Sequence, residues 1–488
     1  MKPLKYFAIF LFLGSFFTSC FNDNDDVIRP ATQLEIKNFV RRGMNARYLY
    51  KPDVPDLANN RFTSNSEYID FLNGFSSPEE LFQALRSKEI DPASGKMIDD
   101  FSWIVNDYIA LEQSFNGITL NNGMEFGLVS FTDDPDPKIF GYVRYVLPGT
   151  DAEIKGIQRG MIFNTIDGQE ITVNNRRSLL SPDTYTIGLA TYDGNSVTAT
   201  GESISLTKRQ YTENPVFTSK ILDVGGSPVG YIMYNQFNDA FDPQLNAVFG
   251  QFVAGGVTDL ILDVRYNPGG NTETAKDLAS MITGQFAGQI FTTEEWNPEI
   301  QQFYLTNNPE FIINRFDNQI VGGTLINSLN LSRLYILTTN GSASASELII
   351  NALDPYIDVI QVGTTTRGKF QASTTIYDSD DLRRTGKNLN LGHRYAMQPL
   401  VLKTINSVGF TDYFGGFDPE IRIAEDFTNL GVLGDENEPL LKAAIDDILG
   451  NRSKANYNTK ELKSFGDSNM FNIDYEMMYK KDITIPFN

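Results

Sequence analysis

The sequence predicts a multidomain α+β chain: a helical N-terminal region, a β-rich middle and an α/β core. Three observations lead there. Apolar residues near the start recur at helical spacing behind capping residues, as in Leu34-Glu35-Ile36-Lys37-Asn38-Phe39-Val40. In the middle, Tyr142-Val143-Arg144-Tyr145-Val146 alternates as a half-buried strand does, and Ile166-Asp167-Gly168-Gln169 is a hairpin turn signal. Beyond residue 215, continuous apolar runs are followed by helical patterns, the order expected of strands and helices in layers. A chain of 488 residues with 41% apolar content has material for two to four such units.

Taken in order, residues 30–115 read as the helical domain. Ser77-Pro78-Glu79-Glu80 is a capping box with proline at the first helical position, and Phe82 and Leu85 continue that helix. Phe101, Ile104, Val105 and Tyr108, with Trp103 beside them, read as a further helical apolar face. Residues 116–210 form the β-rich unit. Residues 215–450 alternate: Gly230–Tyr234 as strand, Pro243–Ala254 as helix, Asp259–Val264 as strand, Thr272–Ile282 as helix, Asp358–Val362 as strand. Leu440–Leu449 closes this part as a capped helix, and 451–488 is a polar tail with no strong period that partly wraps the core.

The first residues read as a targeting signal. Lys2 and Lys5 precede an apolar stretch, Phe7 to Leu13, too short to span a membrane. Phe17-Thr18-Ser19-Cys20 resembles a bacterial lipobox, which implies that residues 1–19 are removed and Cys20 is lipidated. Residues 20–29, with Asn22-Asp23-Asn24-Asp25-Asp26, then form an acidic tether. The expected location is the bacterial cell envelope, anchored by lipid on the periplasmic side or on the outer-membrane surface.

Composition excludes several chemistries. The net charge is −21, which repels nucleic acid. Cys20 is the one cysteine and His393 the one histidine. Neither a disulfide framework nor a Cys- or His-ligated zinc site can be built, and no metal or cofactor is expected. Asp133-Asp134-Pro135-Asp136-Pro137 lacks the spacing of a calcium loop and reads as a solvated acidic turn.

The chemistry-bearing stretch is Asn340-Gly341-Ser342-Ala343-Ser344-Ala345-Ser346-Glu347. It leaves an apolar strand, Leu334–Thr339, and opens a helix from Ser346 to Leu353. Ser344 therefore lies near a helix N-terminus, where backbone N–H groups favour developing negative charge. A serine needs a base to become a nucleophile. Lys369, in Arg367-Gly368-Lys369, is the candidate, and a triad would require His393 to face Ser344. A lysine serves as base only when neutral, so its pKa must fall by burial; Val362, Phe370 and Ile349 are candidate walls.

The serine run, the lysine 25 residues later and the turn Asp263-Val264-Arg265-Tyr266-Asn267-Pro268-Gly269-Gly270 together resemble the C-terminal processing peptidases, or tail-specific proteases. The resemblance covers most of residues 30–450. It implies a crotonase-like β-β-α superhelix for 215–450 and a serine endopeptidase with a Ser344–Lys369 dyad that cleaves near protein C-termini through an acyl-enzyme. The backbone N–H groups of Ala345 and Gly270, with Gly269 close behind, would hold the oxyanion. The family often has a glutamine four residues after the lysine; here Ser373 stands there and Gln371 two after, so either could orient the amine. Arg265 is expected to brace its turn. Residues 116–210 resemble a PDZ domain through Phe126-Gly127-Leu128-Val129 and Gly156–Ile162, with Met161 where aspartate is usual. That implies capture of peptide C-termini by strand addition. The expected partners are protein or peptide substrates and, through the lipid, a membrane. The alternative is a non-catalytic surface lipoprotein of the same fold that binds peptide or lipid.

Overall fold

The computed structural model describes residues 28–132, 137–451, 461–473 and 475–481. The signal segment, Cys20, most of the acidic tether and Asp133–Asp136 lie outside the described residues.

The N-terminal helices are Gln33–Arg47, Asn65–Asn73 and Pro78–Ala84. The first carries a full capping box: Glu35 N–H donates to Thr32 Oγ1 at 3.3 Å, and Thr32 N–H to Glu35 Oε2 at 2.7 Å. The box expected at Ser77 is half formed. Glu80 N–H donates to Ser77 Oγ at 3.1 Å, but the Glu80 carboxylate accepts from Ser76 N–H at 2.6 Å instead of closing on Ser77. The apolar set expected as one helix from Phe101 to Tyr108 divides in two. Trp103–Val105 is a strand antiparallel to Ala396–Gln398, and the helix Tyr108–Phe115 starts behind Asp107, whose carboxylate accepts from Ile109 N–H. Phe39, Val40, Met44 and Phe82 pack with Ile376, Leu382 and Met397, so this region shares a core with the far end of the chain.

The middle of the chain is an antiparallel sheet. Its spatial order is Lys463–Asp467, Met124–Ser130, Ile139–Val146, Ile162–Ile166, Thr184–Tyr192, Val197–Thr207. Phe126, Leu128, Val143, Phe163, Ile166 and Ile187 fill one face.

The main layer is a six-stranded sheet. Ser227–Tyr234, Asp259–Asp263, Arg333–Thr338, Asp358–Gly363 and Ile421–Arg422 run parallel, with Val216–Val224 antiparallel on the edge. The period of two sorts its side chains. Ile232, Leu260, Leu262, Leu334 and Ile336 face the helices Asp242–Ala254, Thr272–Thr283 and Ala345–Leu353. Tyr231, Met233, Ile261, Tyr335 and Leu337 face the closing helix Pro439–Ile448. A second six-stranded sheet has the order Gly270–Asn271, Met478–Tyr479, Gln371–Ser373, Leu400–Asn406, Ile290–Trp296, Ile313–Arg315. Ser344 leaves the first sheet and Lys369 leads into the second, so the site lies where the two meet.

Candidate active site

The strand Arg333–Thr338 ends just before the serine run, and the helix Ala345–Leu353 begins just after Ser344. Two of the three alternating serines are tied to backbone. Ser342 Oγ donates to Val264 O at 2.8 Å, and Ser346 Oγ to Asn267 O at 3.0 Å. These bonds, with Ala343 N–H to Asn267 O at 3.1 Å, stitch the run to the Asn-Pro-Gly-Gly turn. The middle serine differs. Ser344 is fully buried, has φ +65°, and its Oγ has no hydrogen-bond partner among the described residues. A non-glycine residue at that φ, followed by ψ −114°, is strained, and such strain gathers where the surroundings over-determine a side chain's position.

Glu347 supplies that determination. Its Oε2 accepts from Ser344 N–H at 2.8 Å and Lys369 N–H at 2.9 Å. Its Oε1 accepts from Thr366 Oγ1 and Gly368 N–H, both at 2.6 Å. One buried carboxylate therefore holds the serine and lysine loops together. Burial pushes its pKa up, against the four hydrogen bonds that pull it down.

Lys369 is buried as well. Its Nζ donates to the backbone O of Glu476 at 2.5 Å and lies 4.6 Å from the centre of the Phe101 ring. The Glu476 carboxylate turns to Arg367 at 3.1 Å instead, and among the described residues no ion pair involves Lys369. Burial lowers the amine from its ordinary 10.5 to about 7, so a large share is neutral at neutral pH.

The glycine turn closes against the serine. Gly269 has φ +110°, and a Cβ there would stand 2.5 Å from Ser344 Cβ and 2.7 Å from its Oγ. Its N–H donates to Asn267 Oδ1 at 2.9 Å, so Gly269 makes room for the serine but offers no free donor. Gly270, φ +136°, would overlap Phe237 O at 2.1 Å if it carried a Cβ. Ala345 is the first helical residue, and its N–H is among the first-turn donors without an intrahelical acceptor.

The other sequence candidates have different partners. Gln371 Nε2 donates to Tyr50 OH at 2.9 Å and to Ile98 O at 3.2 Å, and Ser373 Oγ donates to Met478 O at 3.2 Å; none of these bonds reaches Lys369. Phe126, Gly127, Leu128 and Val129 are all buried on the strand Met124–Ser130, whose outer edge is paired with Lys463–Asp467. Arg265 braces its turn, fully buried, through Asp263 at 2.8 Å and Glu438 at 2.5 Å. His393 is a structural brace: its Nδ1 accepts from Tyr395 N–H at 2.9 Å, which leaves Nε2–H for Asp378 at 3.0 Å. Sequence reasoning missed Glu347, Thr366, Phe101 and Glu476. Glu347 had a signal, since Ser-x-x-Glu at a helix start is the capping-box pattern.

A serine at a helix N-terminus, a glycine turn against it and a buried lysine joined to it by one carboxylate thus meet at one place in a layered α/β core. The model of peptidase family S41 matches residues 228–390, and that of the peptidase S41 N-terminal domain matches 35–103. These matches, with the relatives that follow, support the family of the C-terminal processing peptidases. It is 26% identical over 231 residues to a carboxyl-terminal-processing protease of Picosynechococcus, covering 46% of this chain and 49% of that one. It is 21% identical over 367 residues to a carboxy-terminal processing protease of Bacillus subtilis, covering 72% and 66%. The chain spans about half the length of the first curated relatives it matches. Among solved structures, one described as an S41 protease from Bacteroides fragilis superimposes with a TM-score of 0.63 at 25% identity, over 84% of this chain and 97% of that one.

Proposed function

We propose that this chain is a serine endopeptidase in which Ser344 attacks the scissile carbonyl and Lys369 is the general base. The carrying observation is the buried Lys369 amine, free of any ion pair among the described residues and brought to about 7. A neutral amine takes the Ser344 proton during attack and returns it to the departing amine, leaving an acyl-enzyme that water hydrolyses. The tetrahedral oxygen is held by the Ala345 and Gly270 N–H groups. Glu347 positions both loops without touching substrate. The test is cleavage of a tagged peptide: wild type cuts it, while Ser344→Ala and Lys369→Ala, both folded, do not. Cleavage by Ser344→Ala would sink the reading.

The antiparallel sheet of residues 124–207 is read as PDZ-like, with Met124–Ser130 as the strand that receives substrate tails. A peptide with a free C-terminal carboxylate should be cut faster than its amide; equal rates would remove that role. The chain is further read as a lipoprotein of the bacterial envelope, anchored at Cys20. Mass spectrometry finding an unmodified mature N-terminus would refute the anchor.

A further inference from the structure

The strand Met124–Ser130 and the Ser344–Lys369 site are both occupied, and by one segment. Lys463–Asp467 adds antiparallel to the outer edge of Met124–Ser130, with Lys463 opposite Ser130, Ser464 opposite Val129 and Asp467 opposite Gly127. At the end of this strand, Phe126 N–H donates to Ser468 Oγ at 3.1 Å. The Asp467 carboxylate lies 2.9 Å from the Arg144 guanidinium, both side chains buried. A segment carrying a carboxylate into a strand edge beside a buried arginine does what a bound peptide tail would do there.

The same segment then reaches the catalytic centre. Glu476 O takes the Lys369 amine. Met477 O stands 3.0 Å from where a Gly269 Cβ would be, the space that also adjoins Ser344 Oγ. Met478–Tyr479 forms a strand parallel to Gly270–Asn271 on one side and to Ser373 on the other. Ser373 Oγ donates to Met478 O at 3.2 Å, and Lys480 N–H to Ser373 O at 3.0 Å. Tyr479 stacks on Phe115 at 4.4 Å, and Met477 is buried with them. The consequence for chemistry is visible: the base is engaged by a backbone carbonyl while the nucleophile's hydroxyl has no partner among the described residues.

We propose that the C-terminal segment, residues 461–473 and 475–481, is a tethered occupant of both peptide-accepting edges, and that external peptides act on this protein by displacing it. The inference rests on the peptidase reading. A tethered segment competes at an effective concentration on the order of millimolar, so a free peptide binding with similar intrinsic strength gains access only to the fraction of molecules whose segment has left. Its departure frees Lys369 Nζ for Ser344 Oγ.

Two experiments on the full chain test this. In the double variant Met477→Ala, Tyr479→Ala, the apolar anchors are removed while Ser344, Lys369 and the glycine turn are kept. Labelling of Ser344 by a fluorophosphonate and cleavage of an apolar-ended peptide should both rise about tenfold, the effect of a tenfold larger open fraction. A folded double variant no faster than wild type overturns the proposal. Should that variant fail to fold, hydrogen exchange on full-length Ser344→Ala decides. With an apolar-ended peptide bound, amide protection across 463–467 and 478–479 should fall; bound peptide with unchanged protection overturns the proposal. Absence of cleavage and labelling in every form strikes the peptidase reading itself, whereas equal rates in wild type and double variant strike the tethered occupant alone.

Discussion

Two cations buried to the same degree flank the candidate site, and they have opposite fates. Arg265, fully buried, sits between Asp263 and Glu438 at 2.8 and 2.5 Å, and these carboxylates hold its pKa well above the ordinary value although burial pulls the other way. Lys369, equally buried, has a backbone carbonyl and an aromatic ring for company, and burial brings it to about 7. A guanidinium keeps its proton in proteins whatever surrounds it, so only the lysine is open to becoming a base, and burial alone does not decide that either. What matters for Lys369 is that the nearest carboxylates are turned elsewhere, Glu476 to Arg367 and Glu347 to four neutral donors, so that burial can take its proton, while Arg265 between two carboxylates is a structural pin.

The largest effect expected from breaking this contrast is on activity. Lys369→Ala should lower kcat for peptide cleavage by about 10⁴-fold or more, as loss of a general base and the acyl-enzyme route it opens does. The activity of wild type should rise with pH through about 7 as the amine loses its proton; a flat profile between pH 6 and 8 would count against Lys369 as base. Next comes stability at the other cation. Arg265→Met takes the nearest cation from two buried carboxylates, leaving Asp263 with the Tyr231 hydroxyl at 2.8 Å and Glu438 with Arg159 at 3.9 Å, and should cost roughly 3–5 kcal/mol in urea unfolding. A third change tests the turn. Gly269→Ala places a methyl 2.7 Å from Ser344 Oγ at a backbone φ of +110°. The expected loss is about 100-fold in kcat, the cost of misplacing a nucleophile by about 1 Å, with the helices unchanged by circular dichroism.

How far the sequence discloses this arrangement depends on the length of each element. Three of the parallel strands, Ser227–Tyr234, Asp259–Asp263 and Arg333–Thr338, were legible because each carries an apolar run with a helix after it, whereas Ile421–Arg422 is two residues long and gave no signal. The three strands of the second sheet that border the site were not. Gly270–Asn271, Gln371–Ser373 and Met478–Tyr479 are two or three residues long, and the register shifts between Ala372 and Ser373, so no period of two develops. Trp103–Val105 was misread for the same reason: three apolar residues fit a strand or a helix equally. In the site, Ser344, Lys369 and the glycine turn stand out as a motif. The Lys369–Glu476 contact cannot, because the acceptor is a backbone carbonyl, which any residue at that position would present.

The smallest effect sharpens the comparison most, because it concerns sign. Lys369 in the unfolded chain keeps its proton up to about 10.5, while the folded chain releases it at about 7. Below pH 7 both states are protonated, and the folded state carries a buried, unpaired charge whose cost is fully present. Between 7 and 10.5 the unfolded state binds more protons, so stability rises with pH, and above 10.5 the penalty has gone. Lys369→Met removes the charge and keeps most of the apolar stem. It should therefore stabilise the fold, by roughly 1–3 kcal/mol at pH 6, with the gain shrinking as pH approaches 10. Arg265→Met, at the same burial, should destabilise at every pH in that range because its carboxylates remain. Urea unfolding of both variants at pH 6 and pH 9 reads the contrast directly. A Lys369→Met variant less stable than wild type at pH 6 would mean that the amine's bonds to Glu476 and Phe101 outweigh its desolvation, and that Lys369, like Arg265, is a pin.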